Sequence, residues 1–316
     1  MAQFTWTTDV PSGPLKNHAL SNKIRQQAVE DTKFFPFVTS EPNYGRGRGE
    51  TVTITRISAL TEPTSPVLTE GVRISEDTFA VATRSITVEE IGRAVPFTDL
   101  SKQLSTFDPQ SQIQKELRRQ LALALDTLTA AAFKRGKVYY IPTGLTSAVN
   151  DTDGTPSTAA TENMNVFHAE EIYDLLYDTY RAPPVDGDDY VGIFRNLALR
   201  GMKRDPAWEE WHKYTDPQAK YNGEVGRMEQ IRFIGTNHNL ALGKKGTGSV
   251  LGEGVVFGDD AVSLAEAMTP ELRVEMNVGQ DFGREHAAAW YGILRMEPTW
   301  DTANAGENRI IVVSSS

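Results

Sequence analysis

Two short motifs in this chain carry residue types that could do chemistry. Asp281-Phe-Gly283 has the letters of the tripeptide that binds metal in protein kinases. A kinase also needs a Gly-rich loop after a strand, a strand lysine and a His-Arg-Asp loop, and none of these precedes the tripeptide. The Gly-rich run at 246–252 is not followed by a pattern that predicts a helix, so no helix N-terminus could bind a phosphate there. We therefore interpret 246–252 as a surface hairpin and expect no kinase.

Metal ligands and nucleophiles do not form complete sets. The five histidines are scattered, and Glu209 and His212 form only one of the i, i+3 pairs that a di-iron bundle requires twice. There is no Gly-x-Ser-x-Gly elbow to expose a serine nucleophile, and there is no cysteine. Asn150-Asp-Thr152 matches a glycosylation acceptor, which has meaning only in a secreted protein. The sequence therefore predicts no catalytic site, no cofactor and no metal site.

The composition is that of an acidic protein with enough apolar residues for a sizeable core. Among 316 residues, 39% are hydrophobic, and 32 Lys plus Arg against 42 Asp plus Glu give a formal charge of −10. A chain of this length forms one large domain or two interlocked ones. Tight non-specific binding of nucleic acid needs a basic face, so the acidic balance argues against it. The protein could still lie beside packed nucleic acid without adhering to it.

The sequence shows no targeting signal. Its first nine residues have neither the basic region nor the apolar region of a signal peptide. No run approaches the ~20 apolar residues of a membrane span. The absence of cysteine excludes disulfides and fits a reducing compartment. We therefore expect a protein that is made in the cytoplasm and has no membrane partner.

Among the elements that would position a site, the segment 45–93 has an unusual pattern. Residues 51–57 and 84–88 alternate polar and apolar side chains, which predicts two strands. Pro63 and Gly71 lie between them, together with a short extended piece at 72–74. Two strands alone are only marginally stable in water. We therefore expect this arm to pack on something outside its own subunit.

The charges of the arm predict an interface. There is no lysine between Lys33 and Lys102, so all cations of the arm are arginines. Arginine forms bidentate pairs with carboxylates and suits interfaces better than lysine does. The candidate interface residues are Arg46, Arg48, Arg56, Glu62, Glu70, Arg73, Glu76 and Arg84. A solvated arm with incidental charge pairs is the alternative.

An aromatic cluster precedes the arm. Phe34-Phe-Pro-Phe37 lies at the end of an N-terminal segment that is interrupted by several prolines. Aromatic side chains in a loosely structured segment need a surface to bury against. Phe34, Phe35 and Phe37 therefore join the candidate interface, and packing on the parent domain is an equally open interpretation.

The strongest helical pattern spans 109–135. Asp108 is the expected N-cap, Pro109 takes the first helical position, and Gly136 is the expected C-terminal stop. A shorter helix is predicted over 17–32, with an apolar face formed by Leu20, Ile24 and Ala28. Further helices are predicted over 166–181 and directly after Asp205-Pro206.

The strand pattern favours an α+β fold. Residues 137–161 have the composition of a long loop or a short hairpin. Strands are predicted at 190–194, 231–234, 255–257, 272–276, 288–296 and 309–313. Helices and strands are interspersed without regular βα alternation, which argues against a doubly wound sheet.

Three pieces of sequence carry a resemblance to a known family. They are Tyr221-Asn-Gly-Glu-Val-Gly226, Gly254-Val-Val-Phe-Gly-Asp-Asp-Ala261, and Gln280-Asp-Phe-Gly283 followed by Ala289-Trp-Tyr-Gly292. Together with the order of arm, extended loop and long helix, they make the whole chain resemble the major capsid proteins of tailed bacteriophages. The shell fold of that family was first described for phage Hong Kong ninety-seven. More narrowly, the chain is similar to the coat proteins grouped with that of coliphage N-four.

The resemblance implies a division of the chain into domains. Residues 1–45 would be an N-terminal arm, and 46–89 an extended E-loop that lies across an adjacent subunit. Residues 166–270 would form an axial domain. A peripheral domain would comprise 90–165 and 271–316, with a spine helix at 108–136.

The resemblance also implies a structural role without enzymatic activity. Subunits would assemble as pentamers and hexamers into an icosahedral virion head that encloses double-stranded DNA without sequence-specific contact. The expected partners are other copies of the chain, a separate scaffolding protein and a portal, with a decoration protein as a further candidate. Because 46–89 contains no lysine, we expect no isopeptide crosslink through this loop. The alternatives are an encapsulin-type nanocompartment shell and a soluble α+β enzyme with an unrecognised site.

Overall fold

The computed structural model describes residues 30, 32–41, 44–45, 47, 49–60, 62–63, 66–105, 108–214, 221, 223–238, 240–243, 252–276 and 282–315. The helices are α1 (Asp99–Leu104), α2 (Pro109–Phe133), α3 (Val166–Asp174), α4 (Arg200–Lys203) and α5 (Pro206–Tyr214), with a 3-10 turn at Phe35–Phe37 and a π-helical turn, Leu175–Thr179, directly after α3. The strands are β1 (Thr39–Ser40), β2 (Thr51–Ile57), β3 (Val81–Thr87), β4 (Glu89–Thr98), β5 (Val138–Gly144), β6 (Ser147–Asp151), β7 (Tyr190–Arg195), β8 (Glu224–Met228), β9 (Ile231–Thr236), β10 (Gly252–Phe257), β11 (Val262–Glu275), β12 (Glu285–Pro298) and β13 (Ile310–Ser315). None of these helices is long and apolar enough to cross a membrane.

The strands form three sheets. A seven-stranded sheet has the order β6-β5-β13-β10-β7-β9-β8, a four-stranded sheet has the order β1-β11-β12-β4, and β2 pairs with β3 in a separate two-stranded sheet. In the large sheet the β5–β13 and β7–β9 pairs are parallel, and the other pairs are antiparallel. Mixed sheets with interspersed helices make the fold α+β, as the sequence pattern predicts.

The seven-stranded sheet is covered on both faces at its centre. All residues of β10 and β13 are buried, and their apolar runs at 255–257 and 310–313 suit strands with no solvent-facing side. Successive residues belong to different layers of the core, because side chains alternate across a strand. Val312 packs in the same cluster as Phe133 of α2, whereas Val313 packs in the cluster that contains Ile172 of α3.

The four-stranded sheet packs one face against α2. Along β12, buried residues alternate with more exposed ones, which is the pattern of a strand with one covered face. Ala288 and Trp290 on this face pack with Leu117 of α2. Further along the same strand, Leu294 and Met296 enter the core that the two larger sheets share. The long helix therefore joins the four-stranded sheet to the seven-stranded one.

The start of α2 confirms the prediction. Asp108 accepts hydrogen bonds from the backbone N–H groups of Gln110 and Ser111, both at 3.2 Å. Pro109 occupies the first turn, where its missing N–H has no consequence.

The end of α2 differs from the prediction. The helix ends at Phe133, and its C-cap is Lys134 with a φ of −71°, so the expected left-handed stop at Gly136 is wrong. Gly136 has a packing role instead, because a Cβ atom at this position would lie 2.8 Å from the Ile310 side chain. Close approach to β13, and not backbone conformation, requires the glycine here.

Most predicted elements are present, and several are longer than predicted. The segment 137–161 contains the hairpin β5–β6, and β5 is a central strand with five consecutive buried residues, so the loop interpretation was wrong for it. The short extended piece at 72–74 is not a strand. The predicted helix over 17–32 lies almost entirely outside the described residues.

Sheet membership crosses the expected domain boundaries. β5, β6 and β13, which the resemblance assigns to the peripheral domain, lie in one sheet with β7, β9 and β10 of the expected axial domain. β11 is a single strand that runs through the expected boundary at 270/271. The division into domains stays a prediction, and the sheets favour different boundaries for it.

Candidate assembly surface

The strands β2 and β3 form an antiparallel arm. Thr51 is paired with Thr87 at one end, and Ile57 is paired with Val81 at the other. Within these two strands, Arg56 and Ile86 are the buried residues, and all other positions are partly or fully exposed. The arm therefore has no core of its own, as its sequence predicts.

Two arginines of the arm bind carboxylates near the other end of the same chain. Arg56 Nη1 donates to Asp301 Oδ1 at 2.6 Å, and Arg84 Nη1 donates to Asp301 Oδ2 at 2.5 Å. Arg84 Nη2 lies 3.4 Å from Glu297 Oε2. The side chains are only 9% exposed for Arg56 and 19% exposed for Arg84. A single carboxylate thus holds both strands of the arm.

A tryptophan and a serine complete this contact. The Arg56 guanidinium carbon lies 5.6 Å from the centroid of the Trp300 ring, which is within cation–π range. Ser58 Oγ donates to Glu307 Oε1 at 2.7 Å, and Thr302 Oγ1 donates to Glu307 Oε2 at 2.6 Å. We call the set of ionic residues at this contact the arm anchor: Arg56, Arg84, Glu297, Asp301 and Glu307.

Glu297 is held ionised although it is buried. Burial by itself raises its pKa, but hydrogen bonds from Arg135 and Arg295 outweigh that effect and hold the pKa below its usual range. The Arg295 guanidinium donates to Glu297 Oε1 at 2.8 Å, and Arg135 donates to the same oxygen. The Glu297 carboxylate therefore links Arg84 of the arm to Arg135, just after α2, and to Arg295 of β12.

The other two carboxyl groups of the arm anchor are also more acidic than usual. Burial raises the pKa of Asp301, but the hydrogen bond from Arg56 and the charges of Arg84 and Arg56 lower it by more. The pKa of Glu307 is lowered chiefly by the hydrogen bond from Thr302. All three carboxylates therefore carry charge at neutral pH.

The chain between β2 and β3 exposes apolar side chains. The described residues of 58–80 form neither helix nor strand. Scattered exposed apolar residues are ordinary, whereas several within one loop indicate a docking surface. We call the exposed apolar residues of this loop the arm tip: Leu60, Val67, Leu68, Val72, Ile74 and Phe79.

Four of the charged candidates lie in the same exposed loop. Arg73 and Glu76 form an ion pair at i, i+3, and both side chains are exposed. Glu62 and Glu70 are exposed as well. An interface role for these four residues stays a prediction, and solvent exposure is compatible with it.

The arginine candidates thus fall into different groups. Arg56 and Arg84 bind their own chain through the arm anchor. Arg46 and Arg48 lie outside the described residues. The sequence placed all of these in one interface, because the carboxylates that bind Arg56 and Arg84 are more than 200 positions away and leave no local signal.

The aromatic cluster packs mainly on the parent domain. Phe34 is fully buried, and its ring centroid lies 5.8 Å from that of Phe133. Phe37 packs edge-on against Phe257 at 5.4 Å. Phe35 is 40% exposed and is the member still available for a neighbour. Of the two interpretations left open by the sequence, the structure supports packing on the parent domain for Phe34 and Phe37.

A polar cluster near α3 has the residue types of a catalytic site, but Tyr140 and His168 are fully buried and Glu171 is half-buried. Tyr140 Oη lies 2.8 Å from His168 Nδ1 and donates to Glu171, and His168 Nε2 lies 3.0 Å from the carbonyl oxygen of Gly144. Burial lowers the pKa of His168, and burial together with Glu171 raises the pKa of Tyr140. Both titrations are displaced away from the charged forms, as expected for structural groups in a core.

The sequence motifs whose residue types could do chemistry form no such site among the residues that the structure describes. Among those residues, no group of three or more His, Asp and Glu side chains could hold a metal ion. Asp281 and the Gly-rich run at 246–251 lie outside the described residues, and so does the side chain of His212.

Comparisons with known proteins bear on the fold. No family model matches the chain, and no curated protein matches its sequence. The capsid of cyanophage Pam1 has a TM-score of 0.69 at 16% identity, covering 100% of this chain and 99% of that one. The capsid of Helicobacter pylori bacteriophage KHP30 has a TM-score of 0.71 at 12% identity, and that of Ralstonia phage GP4 has 0.68 at 16%, each covering 96% of both chains. This chain has the phage major capsid fold.

The assignment of the elements to the parts of that fold stays a prediction. The arm β2–β3 with its exposed tip is the segment predicted as the E-loop, and α2 is the helix predicted as the spine. The fold predicted from the sequence resemblance is confirmed, whereas the grouping with the N-four coat proteins stays a prediction.

Proposed function

We propose that this chain is the major capsid protein of a tailed bacteriophage, a non-enzymatic subunit that assembles with its own copies into the shell of the virion. One observation carries the proposal: the phage capsid fold extends over the whole chain and includes a long arm without a core. Such an arm has no use in a solitary globular enzyme. An exposed apolar loop on a rigidly anchored arm is suited to bind a second copy.

We further propose that subunits form pentamers and hexamers in a closed head around double-stranded DNA. The arm tip would lie on an adjacent subunit, where each apolar side chain that becomes buried contributes roughly 1.5–3 kcal/mol. Arg73 and Glu76, together with Glu62 and Glu70, would set the register of this contact, because charges at the rim of an interface act mainly on specificity. The formal charge of −10 supports enclosure of DNA without tight adhesion to it.

The domain division that we propose follows the sheets. The axial domain would contain the seven-stranded sheet and therefore β5, β6 and β13 in addition to β7–β10. The peripheral domain would contain α2 and the four-stranded sheet. The arm anchor lies where β12 passes into the segment before β13, so the E-loop would be fixed at the junction of the two domains.

The proposed partners are a separate scaffolding protein, a portal and a decoration protein, with assembly in the host cytoplasm. We also retain the narrower similarity to the N-four coat proteins as a proposal. An isopeptide crosslink through 46–89 is not expected, because this segment has no lysine. Arginine–carboxylate pairs and buried apolar area would hold the shell instead.

The test is expression of the chain with and without its neighbouring genes, followed by negative-stain electron microscopy. Closed shells or tubes support a shell protein, and shells of phage-head diameter that package DNA support the full proposal. Small shells filled with a cargo protein would indicate a nanocompartment instead. Discrete small oligomers only, even with a scaffold present, would contradict the proposal.

A further inference from the structure

The strand β4 forms an open edge of the four-stranded sheet. Among the described strands, only β12 pairs with it, and the residues at 89, 90 and 92–94 are exposed. An edge strand presents a row of unpaired backbone N–H and C=O groups and can accept a further strand. Pro96 has no N–H to donate, which limits such pairing near the end of β4, but 89–94 contains no proline. The first part of β4 is therefore open to a partner strand.

A groove lies between this edge and α2. It has a volume of about 560 Å³, and its apolar lining includes Leu123, Ala124 and Leu128 of α2. Ile91 of β4 also lines the groove and packs with Trp290 on the face of the sheet that α2 covers. Because side chains alternate across a strand, the odd-numbered residues of β4 share this face. A strand added to the edge would direct every second side chain into the groove.

The arm tip contains a segment with the pattern of a strand but without a strand partner in its own subunit. Val72-Arg-Ile74 alternates apolar and charged side chains, and Val72 and Ile74 are 67% and 62% exposed. β3 extends about 20 Å from the arm tip before the chain enters β4. The arm tip is therefore at the far end of the arm from its own β4 edge, and a second copy is needed to bring the two together.

The charges of the two segments match in a parallel register. If Arg73 lies opposite Glu90, Glu76 lies opposite Arg93, because each pair of residues is three positions apart. Opposite charges that face each other on adjacent strands stabilise the pairing. An antiparallel register with Arg73 opposite Glu90 would place Glu76 opposite Thr87, outside β4. Charge complementarity therefore favours the parallel arrangement.

We propose that residues 72–76 of one copy add a parallel strand to the β4 edge of a second copy. The contact rests on the proposed shell function and gives the arm tip a defined receiving surface. The exposed ion pair between Arg73 and Glu76 within the arm is exchanged for two pairs between copies. This exchange costs little, since an exposed ion pair contributes little to stability.

The same register places the apolar side chains of the segment in the groove. Ile74 lies opposite Ile91, and Val72 lies opposite Glu89, both on the face that α2 covers. Both side chains then contact the apolar lining around Leu123 and are removed from water. Backbone pairing, apolar burial and charge pairing thus agree on one register.

Charge reversal with rescue tests this register. Glu90 is less suitable for reversal, because it forms a hydrogen bond with the Tyr291 side chain. Arg93→Glu and Glu76→Arg, each alone, should lower the yield of particles in electron microscopy at least about fivefold, since each places like charges opposite each other. The two changes together should restore the yield to within about twofold of that of the natural chain. The matched control combines Arg93→Glu with Glu62→Arg, another exposed glutamate of the same loop, and should not restore it.

The outcomes separate this contact from the shell function. If the natural chain forms particles and the combined Glu76→Arg and Arg93→Glu chain is not rescued, the contact is overturned and the shell function stands. Rescue by Glu62→Arg as well would also overturn the contact, because it would show an effect of net charge alone. If the natural chain forms no particles even with a scaffold, the shell function is overturned, and the contact with it.

Crosslinking between copies covers the case in which charge reversal unfolds the subunit. The sequence contains no cysteine, so single cysteines can be introduced without competition. Chains with Arg73→Cys and chains with Glu90→Cys are mixed before assembly, and a short bismaleimide should link them into a dimer on a denaturing gel. Ala94→Cys replaces Glu90→Cys in the control, because it lies on the same face of β4 about 13 Å further along, and it should react at least about tenfold more slowly. Equal rates for the two mixtures, or no linked dimer in assembled particles, would overturn the proposal.

Discussion

Removing the charge of Asp301 should release the arm from the body of the subunit without unfolding it. Asp301→Asn keeps the size of the side chain but takes away the carboxylate that binds Arg56 and Arg84. Both guanidinium groups would stay largely desolvated and would lose their shared counter-ion. The rest of the arm offers little compensation, since most of β2 and β3 is exposed.

The free-energy cost of Asp301→Asn lies between two limits. Breaking a fully buried ion pair costs about 3–5 kcal/mol, and losing an exposed pair costs about 0–1 kcal/mol. Asp301 is 38% exposed while Arg56 is 9% exposed, so solvent screening reduces the buried value. We expect roughly 1–3 kcal/mol for local opening of the arm, which is about 5–150-fold in its opening equilibrium.

Hydrogen–deuterium exchange of individual peptides can measure this opening. Peptides from β2 and β3 should exchange faster by that factor in Asp301→Asn, whereas peptides from β10 at the centre of the large sheet should not change. Glu76→Gln is the matched control, because it removes a carboxylate from the exposed Arg73–Glu76 pair and should leave exchange in β2 and β3 unchanged. Equal protection of the arm in Asp301→Asn and the natural chain would refute the anchoring role of this carboxylate.

Four further outcomes are expected. The pKa of Glu297 is lowered in the folded protein. The contribution of Glu297 to stability is therefore present above the unfolded-state pKa of about 4.3 and is lost as the pH falls through the folded-state pKa. Glu297→Gln should accordingly lower the melting temperature near neutral pH and have little effect in strong acid. Phe34→Ala should cost about 3–5 kcal/mol in chemical denaturation, whereas exposed Phe35→Ala should cost less than about 0.5 kcal/mol. Gly254→Ala should destabilise by about 1–3 kcal/mol or more in the same assay, since the added methyl group would overlap the Phe194 ring. Arg73→Glu should leave subunit melting unchanged and lower the yield of particles seen by electron microscopy, and an unchanged yield would remove Arg73 from the interface.

Local patterns were sufficient to predict the arm and the long helix. Alternation in 51–57 indicated β2 directly, and the Asp108-Pro109 pair indicated the start of α2, because both signals arise within a few residues of chain. The hairpin that contains β5 was predicted only as an alternative to a long loop, for the opposite reason. Its buried run Val138-Tyr-Tyr-Ile141 is short and is followed by a stretch of polar and turn-forming residues, so composition concealed a strand that tertiary packing fixes.

The partners of the arm arginines could not be predicted from the sequence. Arg56 and Arg84 are bound by Asp301, and an ion pair between residues so far apart in sequence depends on the complete fold. The same holds for Asp126, whose role in fixing Lys33 and Phe34 is visible only when α2 and the N-terminal segment are side by side. The arginine-rich composition predicted an interface, whereas Arg56 and Arg84 bind carboxylates of their own chain.

In the proposed shell, the location of these contacts changes what the arm requires from a neighbouring subunit. Docking of a free arm would have to order both its direction and its side chains, and each immobilised side chain costs about 0.5–1.5 kcal/mol. The anchor at Asp301 and Glu297 already fixes the direction before any neighbour is present. Only the arm tip then has to be ordered on binding, so its apolar residues can contribute more of their burial energy to the contact. For this reason, variants of the anchor should weaken the proposed assembly through a loss of preorganisation of the arm.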